Sequence, residues 1–450
     1  MLRKNTTIVR ECTVGRGTNQ ECSVKLVRDD TGKLSFVRRM ARNSLVVHND
    51  CYRFTNSDGV SSELPFDDAS AAIVFQRLVN GEGNNAFVVS DVVEEAQVVK
   101  WVKTPQEHKF TSTGVKFWRH PHQMNSFKQG QGSSIISTHV SPEGSCNLSC
   151  PYCSVTYRAT KNRIELKRVK DYLLKLWSRG LKAVIFTGGG EPTLYPTFNE
   201  LVQWAKHDLG LSVGLISNGT TQRRIKPETY KCLSWMRVSV NLFDGWQDKI
   251  SIDRSSLADD CVVGCSFVYT AEHASGHELD VSTFTDVSNL ATKLGAKYIR
   301  LLPNCLLEQD KLLREHEALK TMLENLGDDR FFHQYKVHGT PRANVCHQSY
   351  FRPYLSEETF VATGVPGTVY PCDSVVLNNG EAHFAERYQL CSPEDVLKYL
   401  DREITPRFQP CNDCSGCVFT ENVDMLGAWK DGELDRFDEF QQPLMHEEFV

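Results

Sequence analysis

Three cysteines within eight residues are the most reactive feature of this chain. Cys146, Cys150 and Cys153 follow the spacing C-x3-C-x2-C. Three thiolates at this spacing can hold three irons of a cubane iron–sulfur cluster and leave the fourth iron without a protein ligand, and an open iron is reactive. A structural zinc site is the alternative. Tetrahedral zinc takes four nitrogen or sulfur ligands, however, and the loop offers no fourth cysteine or histidine.

A glycine-rich run, Gly188-Gly189-Gly190-Glu191-Pro192, follows about thirty-five residues later, after a predicted strand. Glycine has no Cβ, so the backbone here can approach a ligand closely, although such a run also fits a tight turn. Tyr152 places an aromatic ring just before the last cysteine of the triplet. Together, the triplet, the tyrosine and the glycine run resemble the radical S-adenosylmethionine (SAM) enzymes.

This resemblance implies two cofactors, a 4Fe-4S cluster on the cysteine triplet and a SAM molecule that chelates its free iron. In that family an external one-electron reductant of the flavodoxin or ferredoxin type supplies the electron that splits SAM. The products are methionine and a 5′-deoxyadenosyl radical, which abstracts a hydrogen atom from the substrate. The resemblance places Tyr152 near the adenine, Gly188–Gly190 near the methionine end of SAM, and Glu191 at its ammonium group.

Polar residues on later predicted strands are further candidates for SAM binding, because the family places ribose- and carboxylate-binding groups there. Ser239 and Asn241 share a strand face, since residues two apart point the same way. Ordinary strand-end hydrogen bonding is the alternative for each candidate. Arg300 lies in an apolar strand and would be costly to bury alone, so we expect a carboxylate or SAM beside it. The full set is Ser217, Asn218, Ser239, Asn241 and Arg300.

A second group of cysteines lies in the last quarter of the chain. The G-x4-C element ending at Cys372 resembles the one that opens the C-terminal SPASM domain of radical SAM enzymes, or its shorter twitch form. Five cysteines are too few for the two extra clusters of a full SPASM domain, so one auxiliary 4Fe-4S cluster is implied. A four-cysteine zinc site is the alternative. The preferred ligands are Cys346, Cys372, Cys411 and Cys414, with Cys417 as the substitute and Cys391 as a weaker candidate.

Alternating strand and helix patterns surround the first cysteine loop and indicate parallel α/β units. Helices are predicted around 169–177 and 283–294. The resemblance implies a (β/α)6 partial TIM barrel as the radical SAM core over residues 134–305, with its site at the carboxyl ends of the strands. The six predicted strands are 135–140, 182–187, 213–216, 236–242, 261–269 and 297–302.

The chain is long enough for two or three domains. We predict an N-terminal α+β accessory domain over 1–130 for substrate recognition, with a hairpin formed by residues 22–27 and 34–37. Residues 306–345 are predicted as a bridging helical segment. Residues 346–450 are predicted as a small C-terminal SPASM/twitch-like iron–sulfur domain with an acidic tail.

Composition narrows the function classes. The 450 residues contain no apolar run near the ~18 residues of a membrane helix and no hydrophobic signal at the N-terminus, so we expect a cytoplasmic protein without a membrane partner. Sixteen cysteines in such a chain favour metal binding or catalysis over disulfides. A net charge of −5 argues against a protein that coats nucleic acid, although residues 1–50 hold ten Lys/Arg and five Asp/Glu.

The sequence therefore predicts a radical SAM enzyme, of isomerase or oxidoreductase type, that modifies an aminoacyl-bearing substrate. The carrier of that group stays open. It is a peptide, as for a peptide maturase, a small metabolite, or an amino-acid-modified thymine in DNA, as for the radical SAM isomerases of phage DNA hypermodification. The basic N-terminal segment keeps the DNA carrier open. A non-catalytic iron–sulfur or zinc protein that binds nucleic acid is the alternative of another class, but it leaves the glycine run without a purpose.

Overall fold

The computed structural model describes seven strands within residues 7–89, and then residues 103–155, 158–241, 247–269, 281–378, 384–434 and 444–450. The chain divides into two compact units, Met1–Lys100 and Trp101–Val450. The unit boundary therefore follows Lys100 instead of residue 130. The reason is that residues just before 130 pack into the second unit, where Phe117 and Phe127 are buried against Phe351.

The first unit shows two small sheets in its described residues. Strands β1, β2 and β3 form an antiparallel sheet, and the other sheet has the order β6-β5-β4-β7. The antiparallel pairing of β2 with β3 confirms the predicted hairpin. The N-terminal domain was predicted to be α+β, and its described residues form β-strands. These are β1 Thr7–Val14, β2 Cys22–Arg28, β3 Leu34–Arg38, β4 Ser44–Val47, β5 Cys51–Thr55, β6 Ser61–Pro65 and β7 Val88–Val89.

The second unit contains one nine-stranded sheet with the order β14-β13-β12-β11-β10-β9-β8-β15-β16. Neighbouring strands from β8 to β14 pair in parallel, which confirms the α/β fold. The strands are β8 Ser137–Val140, β9 Ala183–Phe186, β10 Ser212–Ser217, β11 Trp235–Ser239, β12 Val262–Tyr269, β13 Tyr298–Pro303, β14 Phe331–His333, β15 Tyr354–Phe360 and β16 Val365–Tyr370.

Helices connect most of the parallel strands, as such pairing requires. Helix α3 buries Val169, Tyr172 and Leu176 on one face, and Gly180 adopts a positive φ in the turn that follows. The helices are α1 Pro105–Phe110, α2 Pro121–Lys128, α3 Leu166–Trp177, α4 Phe198–His207, α5 Pro227–Tyr230, α6 Val281–Leu294, α7 Gln309–Glu324, α8 Phe384–Tyr388, α9 Val396–Leu400, α10 Pro410–Asp413 and α11 Thr420–Lys430. Within the described part of the chain, none of them is both long and apolar enough to cross a membrane.

Two segments differ from the prediction. Residues 306–345 contain α7, as a bridging helix, but also β14, which adds a seventh parallel strand to the six predicted. A strand of three residues is too short to show an alternating pattern. The C-terminal segment supplies β15, which pairs in parallel with β8, and β16, which pairs with β15. Each of the three predicted segments from 134 to 450 therefore contributes at least one strand to the same sheet.

Candidate active site

The cysteine loop follows β8 and is closed at its base by hydrogen bonds between its two ends. Gly144 N donates to Asn162 O at 2.9 Å, and Ile164 N donates to Pro142 O at 3.0 Å. The buried Glu143 carboxylate accepts from Ser145 N and from Arg163 Nε, the latter at 2.7 Å. The loop is thus fixed at the carboxyl end of β8, whichever ligand its tip receives.

The three thiols of the loop are partly exposed and lie near hydrogen-bond donors. Arg158 Nη1 is 3.8 Å from Cys153 Sγ, and Asn218 Nδ2 is 4.0 Å from Cys146 Sγ. Burial raises the pKa of the Cys146 thiol, and the neighbouring Glu191 and Cys153 add to that rise while Arg158 opposes it. In the described residues, no three His, Cys, Asp or Glu side chains are gathered as ligands of a single ion. Three sulfurs without other ligands are the donor set of an iron–sulfur cluster, whose thiolates occupy separate corners.

The glycine run follows β9 and packs backbone to backbone on the cysteine loop. Gly190 N donates to Glu143 O and Glu191 N donates to Ser145 O, both at 2.9 Å. Gly189 N donates to Ser141 Oγ. A Cβ on Gly190 would overlap the carbonyl group of Ser145. The glycines therefore have a structural requirement in addition to the predicted approach to SAM, which stays a prediction.

Glu191 is 2% exposed, and its carboxylate accepts four hydrogen bonds from protein donors. Its Oε1 accepts from Thr193 N, Thr193 Oγ1 and Ser217 Oγ, and its Oε2 accepts from Asn218 N at 2.9 Å. Burial raises the pKa of Glu191, while these donors oppose that rise. Glu191 thus ties the loop after β9 to the end of β10. Its contact with the SAM ammonium stays a prediction.

The other predicted SAM ligands lie at or near strand ends. Asn218 Nδ2 donates to Asn147 Oδ1 at 2.9 Å and so joins the loop after β10 to the cysteine loop. The Asn241 amide pairs with the backbone of Val268 on β12 through Nδ2 at 3.1 Å and Oδ1 at 3.3 Å, which is the strand-end role named as the alternative. Ser239 ends β11, and Tyr152 is partly exposed in the cysteine loop.

Arg300 lines a cavity of about 170 Å³ on one face of the sheet. His139, Ile185 and Ile216, each one residue before the end of its strand, line the same cavity. Arg300 donates through Nη2 to Ser266 Oγ at 2.8 Å and through Nη1 to Gln334 Oε1 at 2.9 Å. Its partners among the described residues are therefore neutral, and the expected carboxylate partner is not found there.

A buried network that the sequence analysis missed joins β8 to the C-terminal segment. Asp373 Oδ1 lies 3.1 Å from Arg352 Nη2, and Asp373 Oδ2 lies 3.3 Å from His139 Nδ1. Although burial acts in the opposite direction, His139 and Arg352 hold the pKa of Asp373 far below its ordinary value. Burial lowers the pKa of His139. The position of Asp373 directly after Cys372 was the available signal.

Four of these five C-terminal cysteines line one small pocket. They are Cys346, Cys372, Cys414 and Cys417, which we call the auxiliary site. Cys411 does not line it, and its Sγ lies 3.0 Å from Asn344 Oδ1. Burial raises the pKa of Cys346, and the neighbouring Cys417 and Cys414 raise it further. The structure therefore favours Cys417 over Cys411 as the fourth ligand. Four sulfur donors spread around a pocket suit the separate corners of a 4Fe-4S cluster, whereas a zinc ion needs its ligands gathered at one point, an arrangement not found among the described residues.

Cys391 lies outside the auxiliary site. It is 2% exposed and belongs to the main hydrophobic core. Its backbone carbonyl accepts from Val369 N on β16 at 3.0 Å. Its burial and pairing are those of a core thiol.

The described geometry agrees with comparisons to known proteins. Residues 140–245 match the family model of the radical SAM superfamily. An S-adenosylmethionine-dependent nucleotide dehydratase of Flammeovirga pacifica is 26% identical over 156 residues, which cover 32% of this chain and 52% of that protein. A 7-carboxy-7-deazaguanine synthase of Haemophilus influenzae is 37% identical over 76 residues, which cover 17% of this chain and 33% of that protein. The chain thus spans about half, or less, of the length of these curated relatives.

Among solved structures, Streptococcus suis SuiB bound to precursor peptide SuiA matches 74% of this chain and 83% of that chain, with a TM-score of 0.39 and 12% identity. The structure of native anSMEcpe with bound AdoMet matches 64% of this chain and 88% of that chain, with a TM-score of 0.41 and 15% sequence identity. The curated relatives are enzymes by their names. The segment that carries the cysteine loop, the glycine run and Glu191 is therefore a radical SAM superfamily domain.

Proposed function

We propose that this protein is a radical SAM enzyme that modifies its substrate by abstracting a hydrogen atom. One observation carries the proposal. The cysteine loop and the glycine run follow adjacent parallel strands, β8 and β9, and are joined by backbone hydrogen bonds from Gly190 and Glu191. Those two loops are where the superfamily resemblance places the cluster and SAM. Cys146, Cys150 and Cys153 would hold the cluster there, and when bound it would provide the one-electron chemistry that splits SAM into methionine and a 5′-deoxyadenosyl radical.

The residues of the chain have separable tasks in this proposal. Cys146, Cys150 and Cys153 hold the cluster as thiolates. The Gly188–Gly190 backbone and Glu191 bind the amino-acid end of SAM, and Glu191 also holds the loop after β10 in place. Tyr152, Asn218 and the later strand ends surround the rest of SAM. The cavity below these loops, on the same face of the sheet, is left for substrate.

The substrate proposal remains an aminoacyl-bearing molecule, with an isomerase or oxidoreductase outcome. The curated relatives are named for a nucleotide, for 7-carboxy-7-deazaguanine and for GTP. Those names favour a nucleobase over a peptide as the carrier of the aminoacyl group. The electron donor in this proposal is a flavodoxin or ferredoxin, and the setting is the cytoplasm.

The auxiliary site is proposed to hold one further 4Fe-4S cluster, as in SPASM and twitch enzymes. The four sulfur donors around one small pocket support it. Zinc is the competing metal for the same donors.

The test is anaerobic reconstitution followed by incubation with SAM and dithionite. We expect about eight irons per chain, four per cubane, and formation of 5′-deoxyadenosine. A triple variant with serine at Cys146, Cys150 and Cys153 should retain about four irons per chain and should form no 5′-deoxyadenosine. Cys261→Ser, outside both sites, is the matched control and should change neither. Zinc at both sites without iron would contradict the proposal. Iron without SAM cleavage would favour the non-catalytic alternative.

A further inference from the structure

The cavity on the inner face of the sheet is lined by many more cations than anions. Among the described residues that line it, Asp373 is the one carboxylate side chain. The lysines and arginines are Lys109, Lys116, Arg237, Arg300, Lys336 and Arg352. Positive charges gathered in a low-dielectric interior repel each other, so their presence requires either partners within the protein or a bound anion.

Lys109 Nζ lies 5.2 Å from the centroid of the Phe110 ring, and two further cations have hydrogen-bond partners within the protein. Lys116 Nζ donates to Met445 O at 3.0 Å and to His446 O at 3.1 Å. Arg237 donates to Tyr298 Oη and to Phe110 O, and its guanidinium lies 5.3 Å from the Trp235 ring centroid. These two residues are therefore explained as parts of the cavity floor.

Three other cations have no such set of hydrogen-bond partners. Lys336 and Arg352 lie 5.6 Å and 4.8 Å from the centroid of the Phe419 ring, but these contacts supply no anion and no hydrogen-bond acceptor. Arg300 donates only to the neutral Ser266 and Gln334 within the described residues, and no described carboxylate lies within ion-pair distance of Lys336. Arg352 is 2% exposed and pairs through Nη2 with Asp373, but its Nε and Nη1 find no hydrogen-bond partner in the described structure. A buried guanidinium with two unpaired nitrogens is costly unless a ligand satisfies it.

The electrostatics of the cluster agree with this picture. Burial lowers the pKa of Lys336. Cys305 and Asp373 oppose this shift, while Arg300 and Arg352 add to it. Burial also lowers the pKa of Arg300 to about 9, with Arg237 adding to the effect. A multiply charged oxyanion would relieve this repulsion better than a single carboxylate would. The planar fork of arginine fits phosphate oxygens in pairs.

We propose that Arg300, Lys336 and Arg352 bind a phosphate group of the substrate inside this cavity. The inference rests on the proposed function and adds to it the chemical class of the substrate, a phosphorylated small molecule. His139 and Ile216 bring the cavity within one residue of the carboxyl ends of β8 and β10, where the cysteine loop and Asn218 begin the SAM site. A phosphate held there would place the rest of the molecule toward the radical.

The test measures anion binding to the anaerobically reconstituted full-length protein, with pyrophosphate, inorganic phosphate and acetate as probes in a low-chloride buffer. We expect saturable 1:1 binding of pyrophosphate by calorimetry and weaker binding of phosphate. Lys336→Met removes an ammonium group that makes no described hydrogen bond. Arg300→Gln removes a guanidinium group, whose paired N–H donors fit two phosphate oxygens. Each should weaken pyrophosphate binding by about tenfold or more. Lys297→Gln, an exposed lysine just before β13, is the charge-matched control and should bind like the parent protein.

Several outcomes would overturn the phosphate site. The proposal fails if the protein shows no saturable binding of pyrophosphate, or if the parent protein and both variants bind pyrophosphate equally well. It also fails if acetate binds as tightly as phosphate. Displacement of pyrophosphate by SAM would also overturn it, because Arg300 would then belong to the SAM site. The proposed function is judged separately by 5′-deoxyadenosine formation. Pyrophosphate binding without SAM cleavage would leave the phosphate site standing while the enzyme proposal fails.

Discussion

At the scale of single residues, Glu191 is the group on which the loops of the site converge. Its backbone N–H binds the cysteine loop at Ser145, and its carboxylate binds Ser217 and Asn218 at the end of β10. A buried carboxylate with four donors contributes more than a neutral hydrogen-bond acceptor does, because charged hydrogen bonds are stronger. The residue predicted to bind SAM thus also determines where the neighbouring loops lie.

We expect Glu191→Gln to destabilise the protein by about 1–3 kcal/mol and to weaken SAM binding. The reason is that the new amide nitrogen is a donor facing Asn218 N or the Thr193 and Ser217 donors. Denaturant unfolding and SAM titration measure the two effects. Glu200→Gln is the control, since Glu200 is exposed and pairs with Lys170 at the surface, so its loss should cost under about 1 kcal/mol. Unchanged SAM affinity and SAM cleavage in Glu191→Gln would mean that the glycine run is misassigned.

Glu357 gives the site a pH dependence. It lies on β15, where its carboxyl group occupies the space that a Cβ on Gly189 would need. Burial raises the pKa of Glu357 to about 7 from the ordinary 4.5. Between these values the folded state keeps a proton that the unfolded state has lost, so stability falls as pH rises from about 4.5 to about 7.

In Glu357→Gln this part of the pH slope should disappear, since no proton binds at that position. The expected difference between pH 4.5 and pH 7 is on the order of 2–3 kcal/mol of unfolding free energy. Urea unfolding of both proteins across this range measures it. Parallel stability curves for the two proteins would show that Glu357 is ionised in the folded state at low pH.

At the scale of elements, the site depends on the close packing of the loop after β9 against the loop after β8. A methyl group on Gly190 would overlap the Ser145 carbonyl, so Gly190→Ala should displace the cysteine loop. We expect a loss of about 1–3 kcal/mol in stability and a lower iron content after reconstitution. Gly327→Ala is the control, because nothing lies within 4 Å of its added Cβ. Full iron loading of Gly190→Ala would show that the two loops are not mechanically coupled.

The segment around α10 separates two candidate ligands of the auxiliary site. Cys417 lines the pocket with Cys346, Cys372 and Cys414, whereas Cys411 lies on α10 beside Asn344. Cys417→Ser should therefore lose about four irons and Cys411→Ser should keep them. Iron analysis after anaerobic reconstitution distinguishes the two, and the opposite result would restore the ligand set preferred from the sequence.

The sequence predicted the parallel α/β order, the amphipathic α3 and the positions of the cysteine loop and glycine run, because each depends on local periodicity or spacing. It did not predict β14, which is too short to show a pattern, or the choice between Cys411 and Cys417, which depends on how the chain turns after α10. It also missed Arg237, although Arg237 shares a strand face with Ser239. The cationic cavity arises from residues far apart in the chain, and spacing carries no information about such contacts.

At the scale of the whole molecule, the charge of the N-terminal unit bears on the carrier of the substrate. The basic N-terminal segment contains Arg38, Arg39 and Arg42, whose side chains lie outside the described residues. If these arginines contact DNA phosphates, DNA affinity should fall steeply with salt, and reversing the three charges should flatten the salt slope by about 0.9 per lost duplex contact. Fluorescence anisotropy across a salt series measures this. Absent binding at low salt, or indifference to the substitutions, would favour a free small molecule or a peptide.

The pairing of β15 with β8 also bears on the fate of the protein in a cell. β15 and β16 lead directly into Cys372, so a cluster at the proposed auxiliary site would help to hold the strand that covers the edge of β8. Loss of the proposed cluster would remove that restraint, and any opening of β15 would leave the edge of β8 accessible to other chains and to proteases. In that case iron supply would affect the lifetime of the polypeptide as well as its activity.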